Sequence, residues 1–219
     1  MLFKLLGEYG EAFHGGNGRW PLPMRQEDGS WEPGDWLEVD GPLEICLNGL
    51  HLCSAEYITK WSSPSLYIAE YAKDAEVING GNKLCGNKAR LLRLVETWNN
   101  RTLRIFATRC ARRAWHLLRG DDEKEAVNIA RKYADGEATF SEFRDAGEAI
   151  AVHASGPSDI AWDTTRYEAW NAVWAVAENS AWNLAALNRV RGIDTYIERA
   201  EKHWQTKHLL WMLGLREKG

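Results

Sequence analysis

Five of the six prolines, Pro21, Pro23, Pro33, Pro42 and Pro64, fall in the first third of this 219-residue chain. A proline in a helix interior removes a hydrogen bond and clashes with the preceding turn, so long helices are excluded there. After Val95 the one remaining proline is Pro157, and alanine-rich sequence with apolar residues three and four apart takes over. The chain therefore reads as an α+β fold in two parts. Residues 1–96 form a small module of strands and turns, and residues 97–219 form an all-α helical bundle. Each part is long enough to bury a core of its own.

Within the first part, Leu2 to Leu6 is a strand-like apolar run and His14 to Gly18 is rich in glycine. Asn48-Gly49 tolerates positive φ at both turn positions, so Leu43 to Leu47 and Leu50 to Cys53 on either side predict a hairpin. Ser54 is placed to cap a short helix reaching Trp61, which Pro64 ends. Leu66 to Tyr71 and Ala89 to Val95 read as further strands, with Asn79-Gly80-Gly81 as a turn between them.

Five helices are expected in the second part. The first, Thr102 to Leu118, carries Leu103, Phe106, Ala107, Cys110, Ala114 and Leu117 on one face. The next begins at Asp121 or Asp122 and stops at Gly136. Thr139 and Glu142 make a capping box for a third, which runs to about Ala154. Ser155-Gly156-Pro157 breaks the chain, and Ser158 recaps it for a long helix ending near Gly192. Thr195 and Glu198 form another capping box for a final helix that stops at Gly214. Ala-Trp recurs at Trp162, Trp170 and Trp182, a degenerate repeat without a solenoid period.

A net charge of −4 is too mild to imitate DNA and names no partner by itself. Met1 to Leu6 lacks the apolar core of a secretory signal, and no stretch approaches the roughly 20 apolar residues that span a bilayer. Cys46, Cys53, Cys85 and Cys110 show no repeated spacing, which argues against a disulfide framework and for a reduced, cytoplasmic protein.

The strongest surface signal is the set Arg101, Arg104, Arg109, Arg112 and Arg113, placed away from the apolar face of the first helix with no acid between Arg101 and Arg119. Guanidinium forks suit carboxylates and phosphates. The face therefore predicts an acidic protein partner or a nucleic acid, or internal pairing with the acidic first part. Trp162, Trp170, Trp174 and Trp182 rotate around their helix, a pattern that serves either a central packed helix or a binding surface. Cys46, His51 and Cys53 stand close across the expected hairpin and are weak zinc candidates, because no Cys-x-x-Cys knuckle accompanies them.

Three stretches carry a resemblance: Phe13-His14-Gly15-Gly16 followed by Gly18-Arg19-Trp20, Gly49-Leu50-His51-Leu52-Cys53, and Ala89 to Val95 running into Trp98-Asn99. Together they resemble an uncharacterised family of phage and prophage proteins with a GLHLC-type N-terminal module. Arg104 to Ala107, Cys110-Ala111 and Glu201 to Thr206 with Leu209-Leu210 are similar to the alanine-rich, immunity-protein-like helical domain often joined to it. The resemblance implies an accessory protein of a bacterial host cell that binds and inhibits or shields a defence component or toxin, without catalysis and without a cofactor. Phe13-His14-Gly15-Gly16 also resembles the first motif of ADP-ribosyltransferases. That likeness implies an NAD-dependent enzyme with His14 on the nucleotide, Tyr67 stacking and Glu70 directing transfer. A nucleic-acid binder using the arginine helix is the third reading.

Overall fold

The computed structural model describes residues 1–16, 18–151, 160–186 and 194–215, with Trp174 and Asp194 described by their backbone alone. The chain divides into two compact units, Met1–Glu96 and Thr97–Gly219. Antiparallel sheets occupy the first and α-helices the second, the mixed order that the proline distribution implies.

In chain order the strands are β1 (Leu2–Leu6), β2 (Met24–Arg25), β3 (Trp31–Glu32), β4 (Leu37–Glu38), β5 (Leu50–Leu52), β6 (Ser65–Tyr71), β7 (Val77–Asn79), β8 (Leu84–Gly86) and β9 (Lys88–Leu94). A four-stranded sheet has the order β1-β6-β9-β4, and a three-stranded sheet the order β5-β8-β7. Phe3 and Cys53 tie β1 to the end of β5 by reciprocal backbone hydrogen bonds of 2.9 Å. Alternation along β6 turns Tyr67 and Ala69 into one core with Leu6, Trp20, Leu50, Leu52, Ala89 and Leu91. Each large side chain among them contributes about 1.5–3 kcal/mol by leaving water.

The expected hairpin across Asn48-Gly49 does not form; β5 pairs with β8 instead. Residues 44–48 close a separate loop in which the backbone N–H groups of Glu44 and Asn48 each donate to the other residue's carbonyl at 2.9 Å. Asn48 Nδ2 donates to the carbonyls of Asp40 and Pro42, so the side chain that suited a two-residue turn holds a wider one. Gly49 has φ of 134°, and a Cβ there would lie 2.2 Å from Cys85 Sγ on β8. The local hairpin is β7–β8, turning at the Gly80-Gly81 site anticipated from sequence.

The helices are α1 (Asn100–Arg113), α2 (Asp121–Asp135), α3 (Phe140–Ala151), α4 (Ile160–Thr164), α5 (Ala169–Ala186) and α6 (Asp194–Met212). Asn99 caps α1 by accepting the Thr102 N–H at 3.0 Å, and Gly136 ends α2 at a φ of 80°. The Thr139/Glu142 capping box forms, with Thr139 N–H donating to Glu142 Oε2 at 2.7 Å and Glu142 N–H to Thr139 Oγ1 at 3.2 Å. Gly214, at a φ of 69°, follows α6. Thr195 lies inside α6 and not at its cap, because Asp194 is already helical.

The long helix expected from Ser158 to Gly192 is broken between α4 and α5. Thr164 and Thr165 each turn a hydroxyl back onto the carbonyl three residues earlier, at 2.7 Å, which offers the backbone an alternative to continued helix. Arg104 then donates to the carbonyls of Arg166 and Tyr167. The break and cap expected over Ser155–Ser158 and the helix ends expected at Ala154 and Gly192 lie outside the described residues. Along α5, Ala169, Ala172, Val173, Ala175, Val176, Ala177, Ala181 and Ala185 are buried, and α1, α4 and α6 pack around it. No helix among the described residues is long and apolar enough to cross a membrane.

Candidate functional site

A cleft of about 370 Å³ opens in the first unit, walled by β1, β5, residues 13–16 and Gly18, Cys46 to Gly49, Trp61 and Lys83. Ala12 and Gly18 close the base of the glycine-rich loop through a 2.9 Å backbone bond, and His14 Nε2 donates to the carbonyls of Trp61 at 2.8 Å and Ser62 at 3.2 Å. Lys4 reaches from β1 across Trp20, 5.0 Å from its ring centre, to the His51 carbonyl at 3.1 Å. Lys83 stands 4.9 Å over the Trp61 ring with its Nζ 3.1 Å from Cys46 Sγ. Burial, together with the Lys83 charge, pulls the Lys4 ammonium down to about 8.

His51 Nε2 accepts the Cys46 N–H at 3.2 Å, which requires a ring nitrogen without a proton. Burial first, and then the charges of Lys83 and Lys4, hold this imidazole down at about 4. The folded state therefore binds fewer protons than the unfolded state, where the ordinary value is 6.5. The contribution of His51 to the stability of the first unit is full above pH 6.5 and declines as pH falls towards 4, with the Cys46 loop released as His51 charges. Urea unfolding midpoints measured at several pH values test this. The fall should be shallower in His51→Asn than in the wild type, and identical slopes would contradict the assignment.

Cys46, His51 and Cys53 all line this cleft. Burial pushes the Cys53 thiol up to about 12, and among the described residues no three His, Cys, Asp or Glu side chains are grouped to hold a metal ion. His14, Tyr67 and Glu70 do not form one site. His14 lines the cleft, Tyr67 lies in the core, and Glu70 stands on the opposite side of β6, bound to Arg90 at 2.6 Å. Lys4, Lys83, Trp20 and Trp61 were not legible as cleft residues, since β5–β8 pairing and the loops assemble them from distant positions.

On α1 the arginines meet groups of the helical unit. Arg101 pairs with Asp135 at 2.9 Å, Arg109 Nη1 lies 2.7 Å from His208 Nε2, and Arg112 donates to Asn128 at 3.3 Å. Arg113 Nε donates to both oxygens of the buried Glu201, at 2.8 and 3.0 Å, beneath the Trp204 ring. Arg104 departs from the exposed face expected of it. It is 5% exposed and lies against the Tyr133 and Phe143 rings. Of the four tryptophans singled out in the sequence, Trp182 and Trp162 reach the surface, Trp170 is half-buried and the Trp174 side chain lies outside the description.

The helical unit has a groove of about 470 Å³ between α3 and the α4–α5 break, lined by Arg144, Trp162, Thr165, Arg166 and Tyr167. Phe140 stands beside it with its ring 6.0 Å from Tyr167, both rings more than half exposed. Arg166 lies 4.8 Å over Trp162 and pairs with the buried Asp163 at 2.8 Å. Phe140 and Tyr167 went unnoticed in the sequence because an aromatic at helical spacing ordinarily faces a core. Comparisons with protein-family models, curated proteins and solved structures returned no match.

Proposed function

We propose that the chain is a phage- or prophage-encoded accessory protein that binds and inhibits or shields another protein in the cytoplasm of a bacterial host cell, without turnover. Its helices act as one bundle that presents the contact surface. The observation that carries this reading is the aromatic rim of the helical groove, where Phe140, Trp162 and Tyr167 are exposed next to Arg144 and Arg166. Contiguous exposed aromatics are uncommon on a monomer, and Trp, Tyr and Arg are the residues that anchor interfaces. A partner with an acidic surface would also meet the exposed residues Arg101, Arg112 and Arg113, in competition with their partners within the helical unit.

The test is affinity capture from host lysate with immobilised wild type and with Phe140→Ser/Tyr167→Ser. Both rings are solvent-facing, so the double change should cost about 1 kcal/mol or less of stability. One protein retained stoichiometrically by the wild type and at least about tenfold less by the variant is the expected result. Equal retention by both contradicts the assignment of the surface. Transfer of label from NAD to the captured protein would overturn the non-catalytic reading.

A further inference from the structure

The cleft of the first unit has an electrostatic asymmetry that its surroundings lack. Residues 1–96 carry more Asp and Glu than Lys and Arg. Yet the described residues lining the cleft include Lys4, Lys83, His14 and His51 and not one Asp or Glu. The polar and ring contacts of the two ammonium groups include a carbonyl, a thiol and two indole faces, and none of the described ion pairs involves either. A partly buried cation without a counter-charge is costly, and an anion brought into the cleft relieves that cost. The volume is that of a small-molecule site and not of a single bound ion.

Two further walls specify the rest of the ligand. Phe13 and Leu47 line the cleft while remaining exposed, at 40% and 77%, and Trp61 lines it too, so its walls offer apolar surface to a flat group. On the same loop Gly15 and Gly16 both hold positive φ, and Gly15 has nothing within 4 Å of where a Cβ would stand. Both glycines line the cleft without a side chain, which lets a phosphate or ribose approach closely. Two ammonium groups suit a phosphate monoester, which carries close to two negative charges at neutral pH, better than a single carboxylate.

We infer that this cleft binds a small phosphorylated aromatic molecule of the nucleoside monophosphate class, with Lys4 and Lys83 taking the phosphate and Phe13, Leu47 and Trp61 taking the ring. This binding is independent of the protein contact assigned to the helical unit. It needs no reaction, and the separation of Tyr67 and Glu70 from His14 leaves that transferase constellation unassembled here.

Isothermal titration of the full chain with AMP, GMP, UMP, adenosine and inorganic phosphate tests the inference. At least one monophosphate should bind with a Kd between about 1 μM and 1 mM, and adenosine and inorganic phosphate should each be at least about tenfold weaker. Lys83→Met and Lys4→Met should each weaken that monophosphate about tenfold or more. Lys83 sits in a turn, so its variant remains informative if Lys4→Met is misfolded by circular dichroism. Absence of saturable binding of all three monophosphates up to about 5 mM would sink the inference. So would inorganic phosphate as tight as the best monophosphate, or affinity unchanged in the folded Lys83→Met protein.

Discussion

Arg104→Ala should lower the melting temperature of the helical unit by roughly 10 °C or more, from a loss of about 3–5 kcal/mol. The side chain leaves α1, passes 5.3 Å from the Tyr133 ring centre and 4.5 Å from that of Phe143, and donates to the carbonyls of Arg166 and Tyr167. Three helices and the α4–α5 connection thus meet on one guanidinium. Truncation leaves two carbonyls at the α4–α5 break without this donor, each costing about 1–3 kcal/mol, and removes both ring contacts. Arg104→Lys keeps the charge but not the planar fork, and should recover less than half of the loss. Burial lowers the Arg104 pKa from its ordinary value, but an arginine stays charged throughout the accessible pH range, so the effect should not vary between pH 6 and 9. A melting temperature within about 2 °C of the wild type, followed by far-UV circular dichroism, would contradict this role.

The fold is most legible in the sequence where a local rule decides the outcome. Leu2–Leu6 is a strand because an apolar run pairs with another, and Thr139 with Glu142 starts α3 because two side chains answer two backbone N–H groups. Errors arose where a residue far along the chain decides. Helical periodicity runs on through Thr164 and Thr165, but the carbonyls released there are taken by Arg104, about sixty residues earlier. Arg104 itself was read as solvent-facing because Leu103 and Phe106 marked a single apolar face. In the structure, Ile105, Thr108 and Ala111 are buried as well, so α1 is covered over a wide arc and its small residues leave room for a long side chain. His14 and its glycines could be noticed from sequence alone. Lys4 hid inside an apolar run and Lys83 inside a turn, and only the pairing of β8 with β5 brings Lys83 to the cleft.

Gly49→Ala should destabilise the first unit by about 3 kcal/mol or more, a large share of the stability such a small unit has. Two separate costs combine. At a φ of 134° a side chain is strained whatever space surrounds it, and the added Cβ would stand 2.2 Å from Cys85 Sγ, with Leu43 Cδ2 at 3.1 Å. Cys85 has no room to retreat, being fully buried in β8 with its thiol donating to the Asn48 carbonyl at 3.4 Å. The two costs separate in a double-mutant cycle, because Cys85→Ala removes the clashing sulfur and leaves φ unchanged. Gly49→Ala/Cys85→Ala should therefore be more stable than the sum of the single losses predicts, by about 1–2 kcal/mol, with the backbone strain still uncorrected. Strict additivity would place the whole cost in the backbone and disprove the close approach of β5 to β8. Since Gly49 and Leu50 also wall the cleft, the same substitution should weaken whatever anion the cleft holds, and Cys85→Ala should restore part of that affinity in step with the recovered stability.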